Sequence, residues 1–239
     1  MHIVDIEYAH NGRRLLGQLA VDDSTPGTRP AVLVCHEGNG LGALTKGVAE
    51  RLAELGYVAF ALDYYGDGKE IPAEDMMARF GELRDNPELT RGLATAGLEV
   101  LLASEYTDPN RVAAIGYCFG GTMALELARA GTQLSAVVGF HAGLATAAPA
   151  DAKNIAGKVL VIIGADDPFV LPEERAAFEA EMRAGGVDWQ LLLLGGNVHS
   201  FTNPAADAAV HAANPALRYD AAADSRSWQA MRNLLDEVF

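Results

Sequence analysis

Cysteine is scarce in this chain, which has only Cys35 and Cys118 among 239 residues. Two cysteines are too few for a disulfide scaffold, and they do not form a C-x-x-C pair of the kind used for zinc binding or dithiol exchange. A chain of this length can bury a core that needs neither metal nor disulfide to fold. We therefore expect a reduced, cytoplasmic protein.

Basic residues are also few, with 18 Lys and Arg against 32 Asp and Glu and a formal net charge of −14. Such a surface repels polyanions, which argues against nucleic acid or an anionic membrane as a partner. No stretch approaches the ~18 consecutive apolar residues of a membrane span, and the first seven residues lack a basic-then-apolar signal region. We expect a small-molecule partner and a monomer or small homo-oligomer.

Half of the residues are hydrophobic, and short apolar runs alternate with amphipathic stretches. Continuous apolar runs are typical of strands that are covered on both faces, as in parallel sheets. Such runs predict strands at residues 30–36, 57–62, 112–116, 134–140, 159–163 and 189–194. The stretches between them predict helices at residues 45–55, 73–84, 89–104, 119–131, 172–185 and 223–238. This alternation predicts an α/β fold with a mostly parallel sheet and helices on both faces.

The N-terminal residues have a different pattern. Residues 3–8 and 12–21 are divided at Asn11-Gly12, which predicts an antiparallel hairpin leading into the sheet. No internal repeat or Gly/Ser/Pro-rich linker divides the chain, and the Ala-rich residues 142–151 are interpreted as a loop between strands. We therefore expect a single domain over residues 1–239.

The strongest chemical motif is Gly-Tyr-Cys-Phe-Gly at residues 116–120, between a predicted strand and a predicted helix. It matches the nucleophile-elbow pattern G-x-S-x-G, with Cys118 at the serine position. The flanking glycines leave room for a sharp, strained turn, and the adjoining helix N-terminus favours a thiolate. The elbow geometry also supplies the Phe119 N–H as an oxyanion donor. The alternative is a buried structural cysteine in a Gly-rich turn.

A cysteine nucleophile needs a base and a group that orients the base. In folds with this elbow the order along the chain is nucleophile, acid, histidine, each at the end of a later strand. Asp166 and Asp167 follow the strand at 159–163, and His199 follows the strand at 189–194. Order and placement therefore predict a Cys118–Asp167–His199 triad, with Asp166 as the competing acid.

Other histidines carry weaker signals. His36 and His141 end strands and could line a pocket, whereas His2, His10 and His211 are interpreted as surface residues. No histidine–carboxylate spacing indicates a metal site. The chain has neither a Walker motif nor a complete G-x-G-x-x-G fingerprint, so no cofactor is expected.

With these motifs the sequence resembles the dienelactone hydrolase family of α/β-hydrolases over nearly its whole length. The resemblance depends on four segments: residues 32–38, Asp-Tyr-Tyr-Gly at 63–66, Gly-Tyr-Cys-Phe-Gly-Gly at 116–121, and residues 167–170 together with 199–201. The cysteine elbow is more specific than the general pattern, because most α/β-hydrolases carry serine there. The family pattern G-x-x-D-x-x-V matches residues 164–170 and favours Asp167 over Asp166.

The resemblance implies roles for residues that spacing alone does not assign. Glu37 would accept the thiol proton when substrate binds, although a structural ion pair is its alternative role. The amides of Gly38 and Phe119 would form the oxyanion hole. One departure is clear: well-known family members carry an arginine four residues after the catalytic histidine, and this chain has Asn203 there.

The resemblance also implies that residues 64–95 help to form the substrate pocket. Tyr64 and Tyr65 end a predicted strand at the catalytic edge of the sheet, so we expect one of them to line the pocket. Arg79 and Arg84 are candidates for binding a substrate carboxylate, with ordinary surface arginines as the alternative interpretation.

The sequence thus predicts a hydrolase that cleaves a small ester or enol lactone, of the carboxymethylenebutenolidase type, through a thioester on Cys118. One alternative is a broader carboxylesterase or thioesterase on the same fold, because fold does not determine substrate. The other is a non-catalytic, redox-responsive protein in which Cys35 and Cys118 act together.

Overall fold

The computed structural model describes all residues 1–239. The strands are β1 (His2–His10), β2 (Arg13–Val21), β3 (Arg29–Cys35), β4 (Val58–Leu62), β5 (Thr107–Tyr117), β6 (Ala136–Phe140), β7 (Lys158–Gly164) and β8 (Trp189–Leu194). The helices are α1 (Ala43–Glu54), α2 (Ala73–Arg84), α3 (Pro87–Leu102), α4 (Phe119–Arg129), α5 (Pro172–Gly185), α6 (Ala208–Ala213) and α7 (Ala221–Val238). The strands form one sheet in the order β1-β2-β4-β3-β5-β6-β7-β8. The predicted α/β class, with a mostly parallel sheet and helices on both sides, is confirmed.

The predicted N-terminal hairpin is also present. β1 and β2 pair antiparallel from His2 opposite Val21 to His10 opposite Arg13. The two residues between the strands, Asn11 and Gly12, have φ angles of 48° and 79°. Positive φ at both positions is the requirement of a type I′ turn, whose twist matches that of the strands and which Asn-Gly favours.

The chain divides into two compact units after residue 115. In the first, Met1–Ile115, β4 pairs antiparallel with β2 and parallel with β3. Every residue of β4 is buried, and the last five residues of β3 are buried with it. Helices α1 and α3 pack against these strands and cover their apolar side chains. The prediction of a single domain stays a prediction.

The second unit, Gly116–Phe239, contains the parallel strands β6, β7 and β8. Helix α4 packs on β6, and α7 packs on β6 and β7. The apolar strand residues are shielded in this way, which is why β6 and most of β7 are continuous hydrophobic runs in the sequence.

A fully buried arginine links three segments of the second unit. Arg129 at the end of α4 binds Glu126 at 2.9 Å and both carboxylate oxygens of Glu181 in α5 at 2.8 and 2.9 Å. It also donates to the carbonyl of Leu144 at 3.1 Å. These bonds satisfy a charge whose burial would otherwise be very unfavourable.

Several boundaries differ from those that the sequence predicts. β5 begins at Thr107 rather than at residue 112. Its first residues are polar and include Pro109, so they do not have the apolar pattern of a strand, but a proline is tolerated near the start of a strand. A 3-10 turn at Pro149–Asn154 ends the predicted loop, and α6 was not predicted. None of the helices combines the length and the apolar character needed to cross a bilayer.

Candidate active site

The elbow at residues 116–120 has the strained geometry that its glycines suggest. Cys118 adopts φ 53° and ψ −121° and is the N-cap of α4, with its side chain partly exposed. A Cβ on Gly116 would lie 2.1 Å from the carbonyl carbon and oxygen of Gly120, so only glycine fits there. Positive φ in a non-glycine residue stores strain that the surrounding structure must hold. The thiol therefore lies at the N-terminus of an 11-residue helix, where the dipole favours negative charge.

The second unit brings Asp167 and His199 to this thiol. The Nδ1 atom of His199 lies 2.8 Å from Oδ2 of Asp167. The same imidazole forms a side-chain hydrogen bond with Cys118. Because Nδ1 is held by Asp167, Nε2 is the nitrogen available to the thiol. Asp167 is buried whereas Asp166 is exposed, so the carboxylate that contacts the histidine is Asp167.

Charge in this cluster favours a protonated imidazole. Burial disfavours the cationic form of His199, but its hydrogen bonds with Asp167 and Cys118 outweigh burial and raise the pKa of His199 to about 10. Neighbouring negative charge therefore keeps the imidazolium stable at neutral pH. An imidazolium beside a thiol at a helix N-terminus is the environment in which cysteine becomes nucleophilic.

His141 contacts the elbow and the His199 loop together. Its Nδ1 lies 3.2 Å from the backbone N of Cys118, and its Nε2 lies 2.8 Å from Oγ1 of Thr202. The ring is fully buried and stands edge-on to His199, with 4.8 Å between the centroids. Its position at a strand end was visible in the sequence, but these contacts were not.

Phe169 places an exposed apolar ring beside His199, a position that the sequence did not predict. Its ring stands edge-on to His199 with 5.1 Å between the centroids, yet the residue is 55% exposed. Its backbone N–H donates to Oδ1 of Asp167 at 2.9 Å. The carboxylate therefore positions both the imidazole and the aromatic ring beside it.

The first unit holds the predicted residues that follow β3 and β4. Tyr64 is fully buried, and its ring stacks on that of His36 with 3.5 Å between the centroids. Its hydroxyl donates to the His36 carbonyl, and the Tyr65 hydroxyl donates to the Gly38 carbonyl at 3.1 Å. Burial lowers the pKa of His36 to about 4, so this ring is neutral at physiological pH. The tyrosines thereby fix the backbone on both sides of the buried Glu37. A substrate-binding role for either tyrosine stays a prediction.

The predicted arginines lie on α2. Arg79 pairs with Glu82 at 3.2 Å and Arg84 with Asp85 at 2.8 Å, and the Arg79 side chain is partly exposed whereas that of Arg84 is exposed. Their role toward a substrate carboxylate stays a prediction. In the second unit the Asn203 side chain accepts the Ala205 N–H at 3.0 Å, an interaction that caps a local turn.

Cys35 is unlike Cys118. It is completely buried in β3, and burial raises the pKa of its thiol. A thiol that resists ionisation is a poor nucleophile and a poor redox partner. No group of three or more His, Cys, Asp or Glu side chains has the arrangement of a metal site.

Comparison with solved structures identifies the class of protein. The chain resembles the structure named m3DLH at 45% identity and a TM-score of 0.95, covering all of this chain and 98% of that one. It resembles a dienelactone hydrolase-like promiscuous phosphotriesterase from metagenomic libraries at 42% identity and a TM-score of 0.94, with the same coverage. With its strand order and cysteine elbow, the protein is a hydrolase with the α/β-hydrolase fold.

Sequence comparison specifies the family. The sequence model of the dienelactone hydrolase family matches residues 16–239. A protein of Aquifex aeolicus named "Putative carboxymethylenebutenolidase" is 32% identical over 206 residues, which cover 83% of this chain and 86% of that protein. The chain belongs to the dienelactone hydrolase family, as its motifs indicate.

Proposed function

We propose that this protein hydrolyses small esters and enol lactones through a covalent thioester on Cys118. The observation that supports this most directly is the contact of one imidazole, that of His199, with both the thiol and the Asp167 carboxylate. A nucleophile, a base and an orienting carboxylate in hydrogen-bond contact are the minimum machinery for acyl transfer.

Acylation begins from the thiolate and the imidazolium of His199. The sulfur attacks the ester carbonyl carbon, and the carbonyl π electrons move onto oxygen. The Phe119 amide, in the first residue of α4, would stabilise that oxyanion, which is the role that the elbow motif gives to the residue after the nucleophile. When the C–O bond breaks, Nε2–H of His199 gives its proton to the departing oxygen, which leaves as an alcohol or enol.

Deacylation reverses these roles. Neutral His199 takes a proton from water as the water oxygen attacks the thioester carbonyl. The C–S bond then breaks, the acid product leaves, and the thiolate and imidazolium are restored. Asp167 holds Nδ1–H throughout, so Nε2 always faces the reacting atoms. An enol leaving group suits this chemistry, because its stabilised anion departs more easily than a thiolate is expelled.

The family resemblance adds two residues of the first unit to this proposal. Gly38 would supply the second oxyanion amide. Glu37 would take the proton of the resting thiol as substrate binds, which produces the thiolate that begins acylation, and would return that proton to the sulfur after the acid product leaves. In this chain the partner for Glu37 cannot be the arginine found in well-known family members, because position 203 is asparagine. The variant Glu37→Gln tests this part separately. If Glu37 accepts the thiol proton, Cys118 of the variant should be alkylated more slowly than Cys118 of the wild type when a substrate analogue is present.

Phosphotriesters are a second substrate class. The similarity to the promiscuous phosphotriesterase, 42% identity over the whole chain, favours testing them. A thiolate that attacks carbon can attack phosphorus with the same base and the same oxyanion donors. In this case the sulfur would bond to phosphorus as the P–O bond to the leaving alcohol or phenol breaks, and the intermediate would be an S-phosphoryl ester of Cys118.

The test is a panel of p-nitrophenyl esters, enol lactones including cis-dienelactone, acyl thioesters and an aryl phosphotriester. Cys118→Ala is expected to abolish turnover of every substrate that the wild type cleaves, with an unchanged unfolding transition. Cys35→Ala is the matched control and is expected to keep full activity, because this thiol is buried and unreactive.

The panel also separates the alternatives. A preference for thioesters or simple esters over enol lactones would replace the lactone assignment with a broader esterase. Unchanged turnover in Cys118→Ala would overturn the proposal, and joint loss of both free thiols under mild peroxide would support the redox alternative.

A further inference from the structure

We infer that His141 is a positioning residue, which links the strained Cys118 backbone to the loop of His199 through hydrogen bonds to the Cys118 N–H and the Thr202 hydroxyl. This inference depends on the proposed function, because it assigns His141 to the geometry of that reaction. The residue lies directly after β6, where its backbone N–H continues the sheet by donating to the Ile162 carbonyl at 2.8 Å. Its φ of 39° is unusual for a side chain of this size.

The hydrogen bonds of the His141 ring define its tautomer. The backbone N–H of Cys118 can only donate, and it lies 3.2 Å from Nδ1 of His141, so that nitrogen is an unprotonated acceptor. The proton is therefore on Nε2, which donates to Oγ1 of Thr202 at 2.8 Å. Both ring nitrogens are engaged, so the ring has none available to transfer a proton to substrate.

The surroundings keep this ring neutral. Its titratable neighbours are His199, with centroids 4.8 Å apart, Tyr117, with centroids 6.0 Å apart, and Cys118, whose backbone it binds. Burial, together with the charge of His199, lowers the pKa of His141 well below its usual value. A proton on Nδ1 would face the Cys118 N–H, donor against donor, and would break the link.

The link joins the two elements that must be aligned for catalysis. The Cys118 N–H is shared between Nδ1 of His141 and the Phe140 carbonyl at 3.0 Å, which holds the backbone at its positive φ. Thr202 is buried and lies three residues after His199. One imidazole thus spans from the nucleophile's backbone to the loop of the base, and its contact with the His199 ring limits where His199 can move.

The experiment compares His141→Phe, His141→Asn and Thr202→Val in steady-state kinetics with the best ester of the panel. Phenylalanine keeps the ring but removes both hydrogen bonds, and kcat is expected to fall by about 100-fold with KM within about threefold, as for a small misplacement of reacting groups. Asparagine tolerates positive φ and offers Oδ1 in place of Nδ1, so His141→Asn is expected to recover much of that loss.

Thr202→Val removes only the second hydrogen bond and is expected to lower kcat by roughly tenfold, a smaller misplacement effect. In the His141→Phe background it is expected to add no further loss, because the link is already broken. Thr122→Val is the matched control. Its one hydroxyl proton goes to the Gly143 carbonyl at 2.8 Å, and it is not a hydrogen-bond partner of the His141 ring, so its kcat should equal that of the wild type.

A second measurement requires no substrate. The rate of Cys118 alkylation by iodoacetamide, followed against pH, reports the pairing of the thiolate with His199. In His141→Phe the midpoint is expected to move to higher pH, a shift that a simple loss of fold stability does not produce.

Wild-type kcat and an unshifted alkylation midpoint in His141→Phe would overturn the inference. Should that variant fail to fold, wild-type kcat in both Thr202→Val and His141→Asn would overturn it equally. Failure of the proposed function is recognised separately, by turnover that persists in Cys118→Ala, and the alkylation profile tests the link even then.

Discussion

The Asp167 carboxylate lies 2.8 Å from Nδ1 of His199, and its second oxygen accepts the Phe169 amide at 2.9 Å. This carboxylate therefore has one oxygen for the imidazole and one for the backbone that carries the neighbouring aromatic ring. Its burial makes both bonds strong, since water does not compete for them.

Asp167→Asn should weaken the enzyme at high pH in particular. The wild type should lose activity as pH rises through about 10, because the imidazolium of His199 is then lost. Without the carboxylate one of the causes that raise this pKa disappears while burial remains, so the alkaline limb moves to lower pH. We expect kcat to fall by roughly 10³- to 10⁴-fold, and pH–rate profiles check both effects.

The neighbouring residue supplies the control for that experiment. Asp166 is exposed and binds through its backbone N–H to the Asn197 carbonyl at 3.0 Å. Asp166→Asn should therefore leave both kcat and the alkaline limb unchanged. An equal loss in the two variants would show that the Asp167 effect is general electrostatics rather than its contact with His199.

Phe169→Ala should change substrate preference more than stability. The ring is 55% exposed, so its removal uncovers little core, but an apolar substrate group next to His199 would lose its contact surface. We expect kcat/KM to fall by about tenfold for esters with a large apolar group, mainly through KM, and to change little for acetate esters, in line with pocket contributions of ~1–3 kcal/mol. Leu193→Ala, which removes a 45% exposed side chain from β8, is the control.

The two thiols should differ sharply in reactivity. Cys118 is partly exposed and hydrogen-bonded to His199, whereas Cys35 is fully buried with a raised thiol pKa. Iodoacetamide at neutral pH should modify Cys118 in the native protein and reach Cys35 only after denaturation. Mass spectrometry of digests gives the site, and equal labelling of both cysteines in the native state would contradict the structure.

Arg129→Met should destabilise the fold strongly. The substitution leaves the carboxylates of Glu126 and Glu181 buried without their common cation, a situation that costs about 3–5 kcal/mol. Arg183→Met is the control, because its pair with Glu179 is solvent-exposed and is worth about 0–1 kcal/mol. Urea denaturation measures both, and equal free energies of unfolding for the two variants would contradict this account.

Some of the structure was hidden from the sequence for identifiable reasons. Helix α6 has no buried residue, so no apolar periodicity in the sequence indicates it. Asp207 caps it by accepting hydrogen bonds from the backbone N–H groups of Ala209 and Val210. In β5 the polar first half, with Pro109, reads as a loop. A hydrophobic pattern detects only segments whose apolar side chains face a core. Helix α6 and residues 108–111 of β5 have no buried side chains of this kind.

The sequence by itself determined the class of fold, the hairpin at Asn11-Gly12 and the elbow at Cys118, because each follows from local chemistry: apolar runs, a turn that requires positive φ, and glycines where a side chain cannot fit. It also ordered Asp167 and His199 after the nucleophile. Only the tertiary structure decided which ring nitrogen binds which partner and that His141 lies between the elbow and Thr202. Those contacts join residues more than twenty positions apart, and chain order contains no information on the direction in which a side chain points after folding.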